Sequence, residues 1–249
     1  TFDLSLENQS TYSQTFAGLG GYDVYSSVVP DFYQDVFQES NFYGKGIYDL
    51  AVFNEVILNN HFPKNRILSH DLLEGSYTRC GYVSDVDFYD DFPSDFLVDS
   101  KRQHRWARGD MQILAWAFKK NPLNAIHRFK FIDNIRRGLL PFFLLLIIIF
   151  AYTISPTAPH YWILFVILIL LIPIFFFIFE KIKSQNKRST KTKQYQNTIV
   201  GLQSIILKIV ADFSSLPYHA RLYLDAFTRA LYRMTISKKK LLSWITSEE

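Results

Sequence analysis

One short stretch of this chain carries the residue types that acid–base chemistry uses. Ser69-His70-Asp71 is followed one helical turn later by Glu74. A hydroxyl is a poor nucleophile, and a carboxylate at hydrogen-bond distance can take its proton as it attacks, typically worth about 10² to 10⁴ in rate. A helix start would keep this carboxylate ionised, as a base must be. We therefore predict that Asp71 is a general base and that Glu74 orients the acceptor or His70, unless Asp71 only caps the helix.

A second cluster, Arg102-Gln103-His104-Arg105-Trp106, combines two cations with an aromatic ring. Arg102 and Arg105 are three positions apart and share a helical face. Two guanidinium groups on one face suit a diphosphate leaving group, whose charge grows as it departs. Trp106 offers a flat apolar surface on which a sugar ring can stack. The same residues also fit a solvated basic helix face with one core tryptophan, and the cluster alone leaves both interpretations open.

Two uncharged apolar runs lie downstream, at 139–154 and 161–179. A membrane-spanning helix needs about 20 such residues. The connection at 155–160 contains two prolines, which end one helix and begin the next, so the sequence predicts a transmembrane hairpin over 138–180. The alternative is a buried pair of helices in a soluble core.

Charge indicates how the hairpin is oriented. Lys and Arg lie on both flanks, and the connecting loop has none. The positive-inside rule then places both flanks in the cytoplasm. We expect a multi-pass protein of the inner membrane, with its catalytic part and both termini cytoplasmic. The flanking cations are Arg128, Lys130, Arg136 and Arg137 before the first run, and Lys181, Lys183, Lys187, Arg188, Lys191 and Lys193 after the second.

The region 181–249 begins with a basic linker and continues with an apolar stretch at 198–211 and an amphipathic one at 215–237. This pattern predicts membrane-embedded or interfacial helices, either a third span with one interfacial helix or two helices lying along the membrane. The first 137 residues have a mixed α/β pattern, with helical spacing at 47–58 and 103–118 and a strand-like run at 82–88.

Composition excludes some classes of site. The chain has 249 residues and a single cysteine, Cys80, so it has no internal disulfide and no cysteine zinc cluster. Its formal net charge is +4, and the basic residues crowd around the apolar runs. No basic face with aromatic platforms is present, so we expect no nucleic-acid partner.

Taken together, these motifs resemble a known family. Asp71 followed by Arg102-x-x-Arg105-Trp106 is similar to the late part of the D, D, D, Q/R-x-x-R-W signature of family 2-like inverting glycosyltransferases, such as cellulose and hyaluronan synthases. The chain resembles more closely the family 84-like glucosyltransferase domain of bacterial cyclic β-1,2-glucan synthases. The stretches that carry this resemblance are 16–21, 33–35, 44–49, 68–75, 102–110, 216–217, 224–226, 229–233 and 241–246.

The resemblance implies an α/β fold, with a partial GT-A-like domain at 1–137 that forms the acceptor side and transmembrane helices after it. It implies UDP-glucose as donor, a glucan as acceptor and Asp71 as the base. Arg102 and Arg105 would face the pyrophosphate, and Trp106 would stack on the acceptor. The loop residues Gly44, Lys45 and Gly46 would meet the acceptor end, although this sequence also fits an ordinary glycine-flanked turn.

The resemblance also implies a divalent cation, Mg²⁺ or Mn²⁺. We expect its ligands to precede Thr1 in a longer protein and expect none in this chain. Asp85-Val86-Asp87 follows the base, in the wrong order for this role, and fits a strand with solvent-facing acids. A cyclising or phosphorylase-like domain is expected after Glu249. Two alternatives remain: a synthase of another polymer, such as a linear glucan, and a non-catalytic membrane scaffold.

Overall fold

The computed structural model describes residues 10–17, 32–42, 44, 46–58, 62–63, 65–81, 83, 92–183 and 191–243. Every regular element within these ranges is helical. The elements are α1 (Thr11–Ala17), α2 (Phe32–Phe37), α3 (Leu50–Phe53) with a π-turn at Asn54–Leu58, α4 (Asp71–Thr78), α5 (Phe96–Ile113) with a 3₁₀ turn at Leu114–Ala117, α6 (Ala125–Thr153), α7 (Pro159–Lys183), α8 (Lys191–Ser214) and α9 (Leu216–Tyr232) with a π-turn at Arg233–Ser237.

The predicted α/β, GT-A-like fold is therefore wrong for the described part of the chain, which contains no strand. The prediction relied on the family resemblance and on the alternating run at 82–88, of which only Val83 lies within the described residues. The described segments instead have capped helix starts: the carboxylate of Asp95 accepts hydrogen bonds from two backbone amides at the start of α5, and Asn124 accepts one from the His127 amide at the start of α6. These caps favour helix.

Helix α6 joins the polar residues before the first apolar run to the run itself. It is 29 residues long and continues through Pro141, so the predicted domain boundary after residue 137 falls inside one continuous helix. The 25 residues of α7 carry the second run. The predicted division into three domains stays a prediction.

Within the described ranges, two helices are long and apolar enough to cross a membrane, at Ala125–Thr153 and Pro159–Phe176. The most apolar windows of these helices are only 22% and 6% buried. Since a helix in a soluble core would bury most of its side chains, this exposure disfavours the alternative of a buried soluble pair. Where the helices touch, Leu144, Val166 and Leu216 form a small apolar cluster.

Helix α9 packs against both α5 and α6 and forms the core beneath the Arg-Trp cluster. Gly138 of α6 makes this close packing possible, because a Cβ there would lie 2.6 Å from the Phe227 ring. A second core supports α4. The buried members of the first core are Ala107, Met111, Ile135, Ala226, Phe227 and Ala230, and those of the second are Leu73, Ile113, Ala117, Leu123 and Phe131.

The segment around residue 40 is held by the polar end of α6. The buried His127 imidazole lies against the buried Glu39 carboxylate, and the Lys130 ammonium donates to the Ser40 carbonyl oxygen at 3.1 Å. The Ser40 amide in turn donates to the Cys80 carbonyl at 2.8 Å. These contacts fix the chain immediately before residues 44–46, which we call the glycine loop.

Candidate functional site

The predicted base lies at the start of α4. Asp71 is the first residue of the helix, and the N-cap position is taken by His70, whose side chain makes no capping hydrogen bond. The interpretation of Asp71 as a simple N-cap therefore does not fit this geometry. The Asp71 side chain is partly buried, and this burial raises the pKa of its carboxyl group. His70 and Arg105 pull that pKa down, and Glu74 adds to the rise.

Glu74 is paired with His70 rather than open to an acceptor. A Glu74 carboxylate oxygen lies 2.8 Å from His70 Nδ1, and this hydrogen bond raises the pKa of His70 above its ordinary value. Ligand atoms of His70, Asp71 and Glu74 lie within 4.8 Å of one another, as a metal site requires. The hydrogen bond between Glu74 and His70 engages one possible ligand atom of each residue.

The glycine loop lies directly against the predicted base. A Cβ built on Gly44 would be 3.2 Å from each carboxylate oxygen of Asp71. One turn further along α4, a Cβ on Gly75 would be 2.6 Å from the Phe42 Cβ. The segment that contains Phe42 therefore approaches the α4 backbone closely at this glycine. Gly46 contacts the Phe42 ring. Lys45, also predicted to meet the acceptor, lies outside the described residues.

We expect Gly44→Ala to lower the free energy of unfolding by about 1–2 kcal/mol. Gly44 has φ of +82°, a left-handed conformation that alanine adopts only with strain, and the new methyl group would crowd the Asp71 carboxylate. Gly46→Ala is the matched control, because its methyl group would meet only the Phe42 ring, at 3.2 Å. Denaturant unfolding of both variants measures the difference, and equal stabilities would contradict this account of the loop.

Helix α5 is locked onto the segment that leads to Asp71. A Cβ on Gly109 would lie 2.6 Å from the Ser69 Cβ and 2.9 Å from the Ser69 nitrogen. The buried Gln112 side chain accepts a hydrogen bond from the Leu68 amide at 2.8 Å. Arg105 lies about one turn before Gly109, near enough to influence Asp71. The structure thus places Gly44 against Asp71, with the Arg105 charge near enough to lower the pKa of that carboxyl group.

Arg102 is bound by a carboxylate of its own helix, and its facing a pyrophosphate stays a prediction. Its guanidinium group donates two hydrogen bonds to one Asp99 oxygen, at 2.7 and 3.1 Å, and lies 4.7 Å from the Trp106 ring centroid and 4.9 Å from that of Phe92. Its charge is neutralised by the buried Asp99. Trp106 remains 43% exposed, so Arg102 supports an indole that still faces solvent.

The sequence did not identify two buried polar residues that tie α5 to the end of the described chain. Arg108 donates to the carbonyl oxygens of Ser243 at 2.9 Å and Leu241 at 3.2 Å. Gln112 donates to Leu241 at 3.1 Å while accepting from Leu68. Two observations in the sequence could have drawn attention to these contacts. Arg108 and Gln112 lie in or beside the 102–110 motif, and 241–246 is among the stretches that resemble the family. Neither observation pairs the two segments.

A further link to the tail lies beside the Arg-Trp cluster. His104 Nε2 lies 2.8 Å from an Asp225 carboxylate oxygen of α9, and Asp225 also binds Arg229 at 2.7 Å. Burial lowers the pKa of His104, although the hydrogen bond with Asp225 works against this shift. Helix α5, which carries Arg105, is therefore bonded both to the segment before Asp71 and to α9 and the segment after it.

Comparison with known proteins identifies a similar sequence over nearly the whole chain. No family model matches the chain. The chain is 34% identical over 242 residues to the cyclic β-(1,2)-glucan synthase NdvB of Rhizobium meliloti (strain 1021). The alignment covers 96% of this chain and spans 8% of the length of that curated relative. The resemblance predicted from the motifs is therefore confirmed: the chain is similar, over nearly its whole length, to a segment of a cyclic β-(1,2)-glucan synthase.

Proposed function

We propose that this chain is the acceptor-side part of a membrane-bound inverting glucosyltransferase, which transfers glucose from UDP-glucose to a growing β-1,2-glucan. The observation that carries this proposal is the packing of Gly44 against the Asp71 carboxylate in a chain similar to a glucan synthase, with the charge of Arg105 near enough to act on that carboxylate. Asp71 and Arg105 were selected from the sequence for their chemistry, and Gly44 was selected from the family resemblance.

The proposed step is a single displacement. Asp71 takes the proton of an acceptor glucose hydroxyl as that oxygen bonds to C1 of the donor, and the bond from C1 to UDP breaks with its electron pair leaving on the diphosphate. Burial makes Asp71 a stronger base than an exposed aspartate, and Arg105 favours its ionised form. Trp106 offers its exposed indole to the acceptor ring.

The proposed surroundings are a bilayer and the rest of a larger synthase. Helices α6 and α7 would cross the inner membrane as a hairpin with the site on its cytoplasmic side. Mg²⁺ or Mn²⁺ would support the departing diphosphate in the whole enzyme. The ligands of this cation would lie in the part of the whole enzyme that precedes this chain, as the family resemblance implies. UDP-glucose, the glucan acceptor and further domains for cyclisation or phosphorolysis are part of the proposal.

Replacing Trp106 tests catalysis against the scaffold alternative. In the whole synthase, we expect Trp106→Ala to raise the KM for a glucan acceptor roughly threefold to tenfold, because one stacking contact is lost. Initial rates with UDP-glucose in membrane vesicles measure this change, and linkage analysis of the product separates a β-1,2-glucan from other polymers.

The control is Phe118→Ala, which removes a more exposed aromatic ring, 73% accessible, just beyond α5. It should leave the acceptor KM unchanged. If the chain is only a scaffold, both variants should have the wild-type acceptor KM. Trp106→Ala should then change only the amount of synthase that assembles.

A further inference from the structure

A groove of about 650 Å³ opens beside the C-terminal half of α4. Tyr77 lies six residues after Asp71, so it is about 9 Å further along the helix axis, and the groove is separate from the predicted base. Two aromatic rings, two apolar side chains and two lysines form much of its lining: Tyr77, Trp116, Val56, Pro122, Lys119 and Lys120.

The wall that carries the lysines is preformed. Arg128 of α6 donates to the carbonyl oxygens of Ala117 at 2.9 Å and Leu123 at 3.2 Å. It also donates to the Asn121 side-chain oxygen at 3.0 Å, while the Asn121 amide group donates to the Trp116 carbonyl at 2.6 Å. These bonds hold the turn between α5 and α6 in one conformation. They also give both polar side-chain atoms of Asn121 a partner within the protein.

The remaining polar groups favour an anion. The Lys119 ammonium lies 5.1 Å from the Trp116 ring centroid, and the Lys120 side chain is exposed. Among the described residues that line the groove there is no carboxylate to neutralise these charges. Two ammonium groups beside such a surface attract phosphate oxygens.

The aromatic part of the groove suits a flat ring. Tyr77 and Trp116 both pack against the core cluster around Leu73 and Ile113, and both are partly buried with an accessible remainder. Val56 and Pro122 add apolar surface. Base–aromatic stacking is worth about 1–3 kcal/mol per base. A neutral glucan would also stack here but would leave both ammonium groups without an anionic partner.

We propose that this groove binds a nucleoside diphosphate, with its phosphates on Lys119 and Lys120 and its base against Tyr77 and Trp116. This site is distinct from the one at Asp71 and Arg105, and the proposal does not depend on the transfer reaction proposed for that site. In a synthase that releases UDP, such a groove would sense the nucleotide away from the reacting atoms.

Equilibrium dialysis of labelled UDP against the full 249-residue chain in detergent tests this site. We expect saturable binding that excess pyrophosphate displaces, and a Kd at least tenfold higher for the double variant Lys119→Gln/Lys120→Gln. The matched control, Lys101→Gln/Lys239→Gln, removes two exposed lysines elsewhere and should bind normally. The single variant Lys120→Gln, at an exposed position, should weaken binding severalfold without any effect on folding.

Three results would overturn the proposal. These are no UDP binding at millimolar concentration, equal binding by the double variant and the wild type, and displacement of UDP by a neutral β-1,2-glucan oligosaccharide but not by pyrophosphate. Arg105→Gln separates the two sites. Loss of UDP binding in that variant alone would place the nucleotide at the proposed transfer site and refute the groove, whereas normal binding there would leave the groove intact even if the proposed transfer reaction is wrong.

Discussion

Asp71→Asn in the whole synthase is expected to abolish β-1,2-glucan formation, with a loss in rate of about 10² to 10⁴. The amide is nearly the same size as the carboxylate but cannot take the proton of the acceptor hydroxyl. Because burial raises the pKa of Asp71, the wild-type rate should also fall on acidification at a pH above the usual range for an aspartate. Initial rates of glucose incorporation from UDP-glucose, measured across pH, check both expectations.

Asp95→Asn is the matched control for this substitution. Asp95 is an exposed helix cap, and asparagine caps about as well as aspartate, so the same chemical change should leave synthesis and membrane content unaltered. Glucan synthesis at the wild-type rate by the Asp71→Asn enzyme would remove this carboxylate from the mechanism.

Gly109→Ala is expected to have the second-largest effect, because it places a methyl group where α5 touches Ser69. The methyl carbon would lie 2.6 Å from the Ser69 Cβ and 2.9 Å from its backbone nitrogen, so backbone must move. Such overpacking typically lowers stability by about 1–3 kcal/mol. Ser69 is two residues before Asp71, and a shift of about 1 Å at a reacting group can reduce the rate about 10²-fold.

Gly81→Ala serves as the control for Gly109→Ala. A Cβ at Gly81 would meet nothing closer than the Gln34 Oε1 atom at 3.9 Å, so this variant should keep both stability and rate. Thermal unfolding and initial rates of the two variants give the comparison. Normal stability and synthesis in the Gly109→Ala enzyme would show that the contact between α5 and Ser69 does not position the base.

The sequence predicted the local features of the chain well. The two apolar runs lie on helices long enough to cross a membrane, and Asp71 begins a helix as expected. These features follow from composition and spacing over a few turns. The α/β fold was wrong because a family likeness was extended to segments whose own pattern is helical. The alternating run at 82–88, which suggested a strand, would also have needed partner strands.

Side-chain partners were harder to predict. The interpretation of Arg102 from the sequence did not include Asp99, which lies three positions earlier on the same helix and binds it. The spacing rule for helix neighbours could have revealed that pair. The contacts of Arg108 and Gln112 could not be found in this way, because their partners are backbone carbonyls, which every residue carries. Only the folded chain shows which carbonyls come within reach.

The bond between Arg108 and Ser243 joins positions 135 residues apart, and this separation constrains the order of assembly during translation. A ribosome adds about 5–20 residues per second, so on the order of ten seconds pass between the synthesis of α5 and that of its last anchoring carbonyl. Throughout that interval Arg108 lacks the carbonyl partners that it has in the folded chain. The nascent chain therefore acquires its finished site only after the apolar helices have emerged and left the exit tunnel.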